Sequence, residues 1–373
     1  MPKSFAEHSD WLQVVSKAFV YLQVGETITY PEKPSKSDIG NDSMNEVRHG
    51  QHNEVTTAPP ANDPLVSSLR PSNGLGTVHT LVALVLTGAG LFFATNKSWV
   101  IWFVGQVLFA LAFVKWFTLL HEAGHQTLFA SRTWNTVVGR IASFFAILPY
   151  SSWKAIHRLH HKWAGWQDKD PTTSSLVPRP LGVVERVILR VAWFCWLPLF
   201  SVLYRVQSFW HMPRLFRLFE GRRARISFVL DACGLIVLYA TILFLIGPQT
   251  LLRLVGLGYF LGFAWMDVIM LSQHTHIPLK LSHGADVKPI PAPEQAPYTR
   301  SLLFAPWLSL GLFSGFDAHE LHHVFPFVPG PRLREIPWTP PHEVPGWSWT
   351  RAAKAVPADV FLFQNRNTSG LSI

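Results

Sequence analysis

The sequence predicts an all-α integral membrane protein with four transmembrane helices, and three observations lead to this fold class. Of its 373 residues, 49% are hydrophobic and only 15% are charged, and the mean hydropathy is +0.19. This composition is more apolar than that of an ordinary soluble enzyme. The 16 Trp and 27 Phe residues suit a membrane protein with aromatic belts at both interfaces. Finally, four apolar segments are about long enough to cross a hydrocarbon core of roughly 30 Å as helices.

The four apolar segments form two pairs. Residues 76–95 and 99–120 are separated only by Asn96-Lys97-Ser98. Residues 226–247 and 249–273 meet around Gly247-Pro248-Gln249. Connections this short join antiparallel neighbours, so each pair predicts a transmembrane hairpin.

Histidine clusters lie beside these segments. Eight of the 17 histidines fall into three groups, which we call the first box (His121-Glu-Ala-Gly-His125), the second box (His157-Arg-Leu-His160-His161) and the third box (His319-Glu-Leu-His322-His323). On a helix, residues at i, i+3 and i+4 share one face, so each box can direct two or three imidazoles at one point. Imidazole binds transition metals such as iron, zinc and copper. Eight such ligands are too many for one ion and suit two, which predicts a membrane-embedded di-metal oxidoreductase.

Two further apolar stretches, residues 134–150 and 186–206, are interrupted by arginines. If residues 134–150 crossed the membrane, the first and second boxes would lie on opposite faces and could share no metal site. We therefore predict that both stretches are interfacial or re-entrant helices. With four spans, the three boxes and the basic run at residues 214–225 come out on one side, which the positive-inside rule makes cytoplasmic. Residues 301–316 are apolar but short, and they predict another interfacial element.

The predicted chain has three parts. Residues 1–75 are polar and rich in Ser, Pro, Asn and charge, which predicts a disordered cytoplasmic extension. Residues 76–345 form the membrane domain, in which two hairpins and interfacial helices carry a helical cytoplasmic cap that holds the metals. Residues 346–373 form a C-terminal cytoplasmic tail. We expect a multi-pass protein of the endoplasmic reticulum or of a bacterial inner membrane.

Charge and cysteine content weigh against other classes of protein. The net charge of +9 is compatible with nucleic-acid binding. However, the densest basic run, residues 214–225, abuts an apolar segment, which favours anionic lipid headgroups and predicts no nucleic-acid partner. The two cysteines, Cys195 and Cys233, lie in apolar segments and predict neither a disulfide framework nor a thiolate metal site.

Further ligands and hydrogen-bond partners lie close to the boxes in sequence. His274 and His276 end the fourth apolar segment, and either could complete the ligand set of one metal, with an interfacial hydrogen-bonded role as the alternative. Metal-binding histidines usually donate their second N–H to a carboxylate, a carbonyl or water. We expect this outer role, rather than a ligand role, for Glu122, Asp170, Asp317, Glu320 and His276. No catalytic side chain is predicted beyond the metal centre.

Iron is the metal that the chemistry favours. Structural zinc sites typically use four ligands with frequent Cys, so two zinc ions would not need this many imidazoles. An apolar setting suits an alkyl substrate, and an alkyl C–H bond has neither an acidic proton nor a leaving group. Side-chain acid–base chemistry does not break such a bond, so a cofactor must carry the hard step. Two iron ions with O2 could supply it.

In this order and spacing, the boxes resemble those of the integral-membrane fatty acid desaturases. HEAGH at residues 121–125 is similar to the HECGH box of the acyl-lipid, delta-12-type members, and HRLHH at residues 157–161 looks like their second box. Residues 163–171 are similar to a segment that ends in Asp-Pro there, and residues 273–276 are similar to their QHTH stretch. HELHH at residues 319–323, with its Phe-Pro continuation, is similar to the third box.

The resemblance covers roughly residues 75–345, and it implies a non-haem di-iron site, O2 as oxidant and two electrons from a redox partner. The eight box histidines would then be the iron ligands, with His274 as the ninth. The chain departs from the front-end desaturases in two ways. Its third box begins with His rather than Gln, and no His-Pro-Gly-Gly motif marks a fused cytochrome b5 domain. The resemblance therefore implies that the protein acts in the membrane on a lipid or fatty acyl substrate and receives its electrons from a separate donor of the cytochrome b5 or ferredoxin type.

The leading hypothesis is a fatty acyl desaturase that introduces a cis double bond into an acyl chain. A hydroxylase or an alkene-forming fatty acid decarboxylase on the same scaffold stays open, because small changes in substrate placement decide which atom reacts. A metal transporter or a haem-binding membrane protein is the alternative from another class. A transporter would place its ionisable groups near the bilayer midplane, whereas these boxes lie at the ends of apolar segments.

Overall fold

A computed structural model of the chain describes residues 58–373, and these fold into a mostly helical protein. Its long helices are four candidate membrane spans, which we number in chain order: the first span Asn73–Ala94, the second span Trp99–His125, the third span Arg222–Ile246 and the fourth span Pro248–His274. The prediction of four spanning helices is confirmed on length and composition. The fourth span contains an irregularity, because Pro248–Leu251 and Leu257–His274 flank a π-helical turn at Leu252–Gly256.

The second span is the scaffold on which the first and fourth spans pack. In its most apolar part 56% of the residues are buried inside the protein, compared with 11% in the third span. A Cβ atom on Gly105 would lie 2.5 Å from the backbone nitrogen of Ala94, so the first and second spans approach backbone to backbone. A Cβ atom on Gly262 would lie 2.6 Å from the ring of Phe113, which shows that the fourth span packs equally closely on the second.

Shorter helices connect the second span to the third: Arg132–Ala146, Tyr150–Trp163, the 3-10 turn Ser174–Leu176, Val183–Phe194, Leu199–Arg205 with its π-helical continuation Val206–Trp210, and Met212–Leu218. The helix at Arg132–Ala146 is not among the candidate spans of the described residues. The stretch predicted at residues 186–206 bends by 113° between Val183–Phe194 and Leu199–Trp210. It is therefore a broken span or a re-entrant loop, and the chain has four spans or, if the bent pair crosses, five.

After the fourth span the chain forms short elements: the 3-10 turns Ala292–Glu294 and Ala296–Tyr298, the strand Ser301–Leu303, the π-helix Trp307–Phe313, the helix His319–Val324, the 3-10 helix Gly330–Glu335, the strand Glu343–Pro345, and the helices Gly346–Ala355, Ala358–Phe363 and Arg366–Ser369. The two strands pair in parallel, with Ser301 opposite Glu343, which the all-α prediction did not include. Glu320 explains the pairing: its carboxylate accepts the backbone N–H of Ser301 at 3.2 Å and that of His342 at 2.8 Å. One buried acid thus holds both backbone segments beside the third box.

The described part of the predicted N-terminal extension, residues 58–75, contains structure that the prediction of disorder did not include. The helix Pro64–Ser68 begins at Asp63, whose carboxylate accepts the backbone N–H of Leu65 at 2.8 Å. Val66 and Leu69 are buried in one apolar cluster with Leu321 of the third box. Burial of two apolar side chains stabilises this helix. Residues 1–57 lie outside the described residues.

The predicted C-terminal tail, residues 346–373, packs on the helix Val183–Phe194. Trp193 donates its indole N–H to the carbonyl of Ala353 at 3.1 Å. Arg190 forms an ion pair with Asp359 at 2.7 Å. Trp349 and Phe361 of this region are buried in the main apolar core, so these residues form part of the folded protein.

A buried lysine ties the first two spans to the segment before the third box. Lys115 has no exposed surface. Its ammonium group contacts Nδ1 of His79 at 2.8 Å and donates to the carbonyl of Gly311 at 2.6 Å and to Oγ of Ser314 at 2.7 Å. An ammonium has three N–H donors, and each has an acceptor here. The tie therefore fixes the turn that leads into the third box.

Replacing Lys115 with Met should lower the free energy of unfolding by about 2–4 kcal/mol, because the acceptors on two segments, His79 on the first span and Gly311 with Ser314 before the third box, lose their shared donor. Thermal unfolding of the purified protein in detergent measures this. Lys97→Met, in the exposed connection between the first and second spans, is the matched control and should change stability by less than about 0.5 kcal/mol. Equal effects of the two substitutions would contradict the role assigned to Lys115.

Candidate metal centre

The structure brings nine histidines together in two neighbouring groups, and in each group one nitrogen of every ring lies within 4.8 Å of all the others. Group A consists of His121, His125, His157, His161 and His322, and group B consists of His160, His274, His319 and His323. The rings of His161 and His323, one from each group, have centroids 4.5 Å apart. The two groups are therefore adjacent.

The second and third boxes each divide between the two groups. His157 and His161, spaced i and i+4, lie in group A, whereas His160 lies in group B. In the third box the pair at i and i+4 lies in group B, and the remaining histidine, His322, lies in group A. Helix geometry is the reason, because residues at i+3 and i+4 deviate from residue i by about 60° and 40° in opposite senses. Each of these two boxes therefore directs two imidazoles at one point and its third imidazole at the other group, which is the lower of the two numbers that the spacing allows.

The Nε2 atoms face one another inside each group. In group A, Nε2 of His125 lies 2.7 Å from Nε2 of His157. In group B, Nε2 of His319 lies 2.8 Å from that of His274 and 3.1 Å from that of His323. The inward-facing nitrogens are therefore of one kind, and the Nδ1 atoms remain for other contacts.

Two Nδ1 atoms of group B face acceptors that fix the tautomer. Nδ1 of His160 is 2.7 Å from the carboxylate of Asp170, and Nδ1 of His274 is 3.2 Å from the carbonyl of Tyr298. Burial alone would raise the pKa of Asp170, but the hydrogen bond from His160 leaves that pKa below its ordinary value. A carboxylate or a carbonyl only accepts, so both Nδ1 atoms carry protons and both Nε2 atoms present lone pairs.

Gln295 fixes a third imidazole of group B, and the sequence interpretation missed it. Its amide oxygen lies 2.8 Å from Nδ1 of His323. Its amide nitrogen donates to the carbonyls of His161 at 2.8 Å and Ile290 at 2.9 Å, which orients the oxygen toward His323. Gln295 lies in a Pro-rich connection without periodicity, so no pattern in the sequence could have identified it.

The convergent lone pairs fit a metal ion. Burial, followed by the proximity of other imidazoles, holds the pKa of His319, His322 and His323 well below its ordinary value, so these rings are neutral. Lone pairs of neutral imidazoles this close repel one another unless a cation lies between them. In addition, Nε2 of His121 is buried and has no partner among the described residues. An all-imidazole donor set of this kind suits iron, copper or zinc.

Glu122 orients His121 of the first box. Its Oε1 lies 3.2 Å from Nδ1 of His121. Its Oε2 accepts the hydroxyl of Thr127 at 2.8 Å and the backbone N–H of Gly330 at 2.8 Å. A Cβ atom on Gly330 would lie 2.9 Å from this carboxylate, so only glycine leaves room for the contact. Glu122 and Asp170 therefore stand where hydrogen-bond partners of ligating histidines are expected.

Three other predicted partners do not contact the box histidines. Asp317 accepts the hydroxyl of Ser309 at 2.7 Å, and Glu320 accepts backbone N–H groups as described above. His276 lies outside both groups, with its Nε2 at 2.9 Å from the hydroxyl of Ser369. Neighbouring residues on a helix point about 100° apart, so an acid next to a histidine in sequence commonly faces elsewhere.

Replacing Asp170 with Asn should weaken metal binding in group B by about 10- to 100-fold, the usual cost of losing an outer partner of a ligating histidine. Asp168→Asn is the matched control, because Asp168 accepts the hydroxyl of Ser282 at 2.6 Å and contacts no box histidine. The measurement is the metal retained against a graded chelator. Equal retention by the two variants would mean that Asp170 does not support the site.

Four candidate membrane spans and two adjacent groups of imidazoles define the class of this protein, a membrane-associated protein with a candidate two-metal centre. The family profile described as "Fatty acid desaturase" matches residues 97–347, which is more than half of the chain. The chain therefore belongs to the fatty acid desaturase family, and the resemblance found in the boxes is confirmed.

Curated relatives carry desaturase names. The chain is 26% identical over 275 residues to a Sorghum bicolor protein named a probable fatty acid desaturase, covering 69% of this chain and 67% of the relative. It is 26% identical over 252 residues to the Arabidopsis thaliana endoplasmic reticulum acyl-lipid omega-3 desaturase (cytochrome b5), covering 62% and 61%. It is 25% identical over 281 residues to the chloroplastic sn-2 acyl-lipid omega-3 desaturase (ferredoxin) of the same plant, covering 71% and 60%. The chain thus spans about three fifths to two thirds of the length of these relatives.

Proposed function

We propose that the protein is an O2-dependent fatty acyl desaturase with a non-haem di-iron centre, and that it introduces a double bond into the acyl chain of a lipid. One observation carries this proposal: nine imidazoles from three boxes and the fourth span converge in two adjacent groups. Group A and group B would each hold one iron. Family membership supports desaturase chemistry over the metal transporter and haem protein alternatives.

The chain's own residues would bind and orient the irons. His160, His274 and His323 would present Nε2, because Asp170, the Tyr298 carbonyl and Gln295 hold the proton on Nδ1. When bound, two iron ions supply the O2 activation that breaking an unactivated C–H bond requires. Because the proton is held on Nδ1, the lone pair of Nε2 in each of these imidazoles is available to bind a metal.

Aromatic side chains would separate the centre from water and receive the acyl chain. The ring of Phe316 packs 4.8 Å from His121 of group A and 5.8 Å from His319 of group B. Phe117, one turn before His121 on the second span, packs on Phe316 at 5.5 Å. An apolar wall beside both groups suits a methylene substrate. It also keeps bulk water from a reactive centre.

We also infer that the spans form two hairpins with the metals on the cytoplasmic side. Arg253 donates to the carbonyl of Asn96 at 3.0 Å, so the connections of the two pairs meet at the end remote from the boxes. At the other end, Arg214 of the basic run donates to the carbonyl of Pro171, just after the second box. The positive-inside rule then assigns the boxes to the cytoplasmic face. The membrane domain would comprise residues 76–345, in the endoplasmic reticulum or a bacterial inner membrane.

The electrons would come from a separate protein. Two of the relatives are named for cytochrome b5 and ferredoxin, respectively, which supports a one-electron carrier of either type.

Lipid analysis of a host that expresses the chain tests the proposed reaction. We expect acyl chains that have lost one pair of hydrogens and gained a cis double bond, detected by gas chromatography and mass spectrometry. A host that expresses the chain with His160→Ala is the control. Hydroxylated or chain-shortened products without new double bonds would instead identify a hydroxylase or a decarboxylase on the same scaffold.

A further inference from the structure

A basic face is formed by cations of the second-box helix, of the loop after it and of the loop after the fourth span, and we propose that it is the docking surface for an acidic electron-carrier protein. The basic face consists of Lys154, Arg158, Lys162, Lys169, Lys280 and Lys288. The segments that carry it, residues 154–169 and 280–288, contain only Asp168 and Asp286 as acids. The proposal rests on the proposed function, which requires electrons from outside the chain.

The two segments form one surface. Trp166 donates its indole N–H to the carbonyl of Lys288 at 3.0 Å. The backbone N–H of Lys280 donates to the carbonyl of Gly165 at 2.8 Å. The ammonium of Lys280 lies 5.6 Å from the ring centroid of Trp166. These contacts join the loop after the second box to the loop after the fourth span.

The basic face is adjacent to ligands of both groups. Arg158 directly follows His157 and Lys162 directly follows His161, and both cations are exposed while both histidines belong to group A. A carrier bound here would therefore be separated from the ligands by about the 10–12 Å diameter of one helix.

Group B is reached through Tyr298. The ammonium of Lys280 lies 5.4 Å from the centroid of the Tyr298 ring. The carbonyl of the same tyrosine accepts the Nδ1 proton of His274 at 3.2 Å. One bound protein would thus lie close to both candidate metal positions.

The surroundings favour a soluble protein over lipid headgroups as the partner. Among the described residues, no exposed large apolar side chain occurs in residues 142–182 or 261–302, which include the whole basic face. By contrast, residues 183–197 expose eight such side chains: Val183, Val184, Val187, Ile188, Val191, Phe194, Trp196 and Leu197. A surface that enters a bilayer interface combines cations with apolar side chains, and the basic face has only the cations.

The positive charge of the basic face is only partly neutralised within the described part of the chain, because its segments carry six cations and two acids. None of its six cations forms a salt bridge there. The carboxylate of Asp168 is instead hydrogen-bonded to the hydroxyl and the backbone N–H of Ser282. Clustered unpaired cations attract and orient a partner of opposite charge, and they do so less strongly as salt increases.

Direct binding tests the proposal. The full chain in lipid nanodiscs is immobilised, and the Kd of a soluble cytochrome b5 domain and of a plant-type ferredoxin is measured from low to high NaCl. We expect Arg158→Gln/Lys162→Gln to weaken binding of at least one carrier by about tenfold at low salt, with the difference disappearing at high salt. The matched control is Arg222→Gln/Arg223→Gln, which removes two exposed cations at the start of the third span and should leave that Kd within about twofold.

The outcomes separate the proposals. If neither carrier binds the wild-type protein, or if both double variants bind equally well, the docking surface is refuted. If Arg158→Gln/Lys162→Gln loses affinity for phosphatidylserine vesicles and not for the carriers, the basic face binds lipid and the proposal is equally refuted. Carrier binding that depends on the basic face in a protein whose host shows no new acyl product would refute the proposed function and leave the docking surface supported.

Discussion

Replacing His160 or His322 with Ala is expected to reduce turnover by more than about 100-fold, because loss of even an outer partner of a ligand costs 10- to 100-fold. In each of the second and third boxes two histidines lie in one group, and His160 or His322 is the remaining histidine, which lies in the other group. His160 carries the second box into group B, and His322 carries the third box into group A. His160→Ala should therefore weaken metal binding in group B, and His322→Ala should weaken metal binding in group A.

The measurement combines product formation with membrane insertion of each variant. His211→Ala is the control, because His211 lies outside both groups and is only half-buried. We expect His160→Ala and His322→Ala to insert normally and to form no product, and His211→Ala to retain activity. Product formation by a variant at the wild-type rate would remove its histidine from the ligand set.

Replacing His274 with Ala should likewise abolish turnover, whereas His276→Ala should not. His274 lies 2.8 Å from His319 and completes group B. His276 is buried and contacts Ser369 rather than the groups, so its loss should cost about 0.5–1.5 kcal/mol of stability and little activity. Turnover and thermal unfolding, measured on both variants, distinguish the two roles. If His276→Ala loses as much turnover as His274→Ala, the ninth ligand is wrongly assigned.

The four spans and the histidine boxes were predictable from apolar length and from residue spacing, respectively. The four spans are apolar over lengths that only a membrane helix explains, and their observed bounds differ by a few residues from the predicted ones. The boxes were recognisable because i, i+3 and i+4 spacing places imidazoles on one side of a helix. His274 was a candidate because it ends an apolar segment beside the boxes.

The distribution of ligands between the two groups was not predictable. Spacing places the three imidazoles within an arc of about 100° on one side of the helix, but only the packing of the helices decides which ring meets which. The same holds for acids: Asp170 reaches His160 from a turn, whereas Glu320, next to His319 in sequence, holds two backbone N–H groups. Gln295 comes from an aperiodic loop, so only the fold brings it to His323.

Short elements without periodicity were missed for the same reason. The strands Ser301–Leu303 and Glu343–Pro345 pair in parallel although they are far apart in sequence, and Glu320 hydrogen-bonds to the backbone of both segments. The helix Pro64–Ser68 lies in a polar region. It is stabilised by two apolar side chains, Val66 and Leu69, which are buried in one cluster with Leu321. Contacts of this kind depend on where distant segments end up, which composition does not record.

Metal analysis of the purified wild-type chain tests directly whether the two imidazole groups bind iron. We expect about two iron ions per chain, one for each imidazole group, and an absorption spectrum without a haem band. We also expect His160→Ala and His322→Ala each to lower the iron content. One iron with a haem spectrum, or zinc as the sole metal, would show that the two groups do not form a di-iron centre.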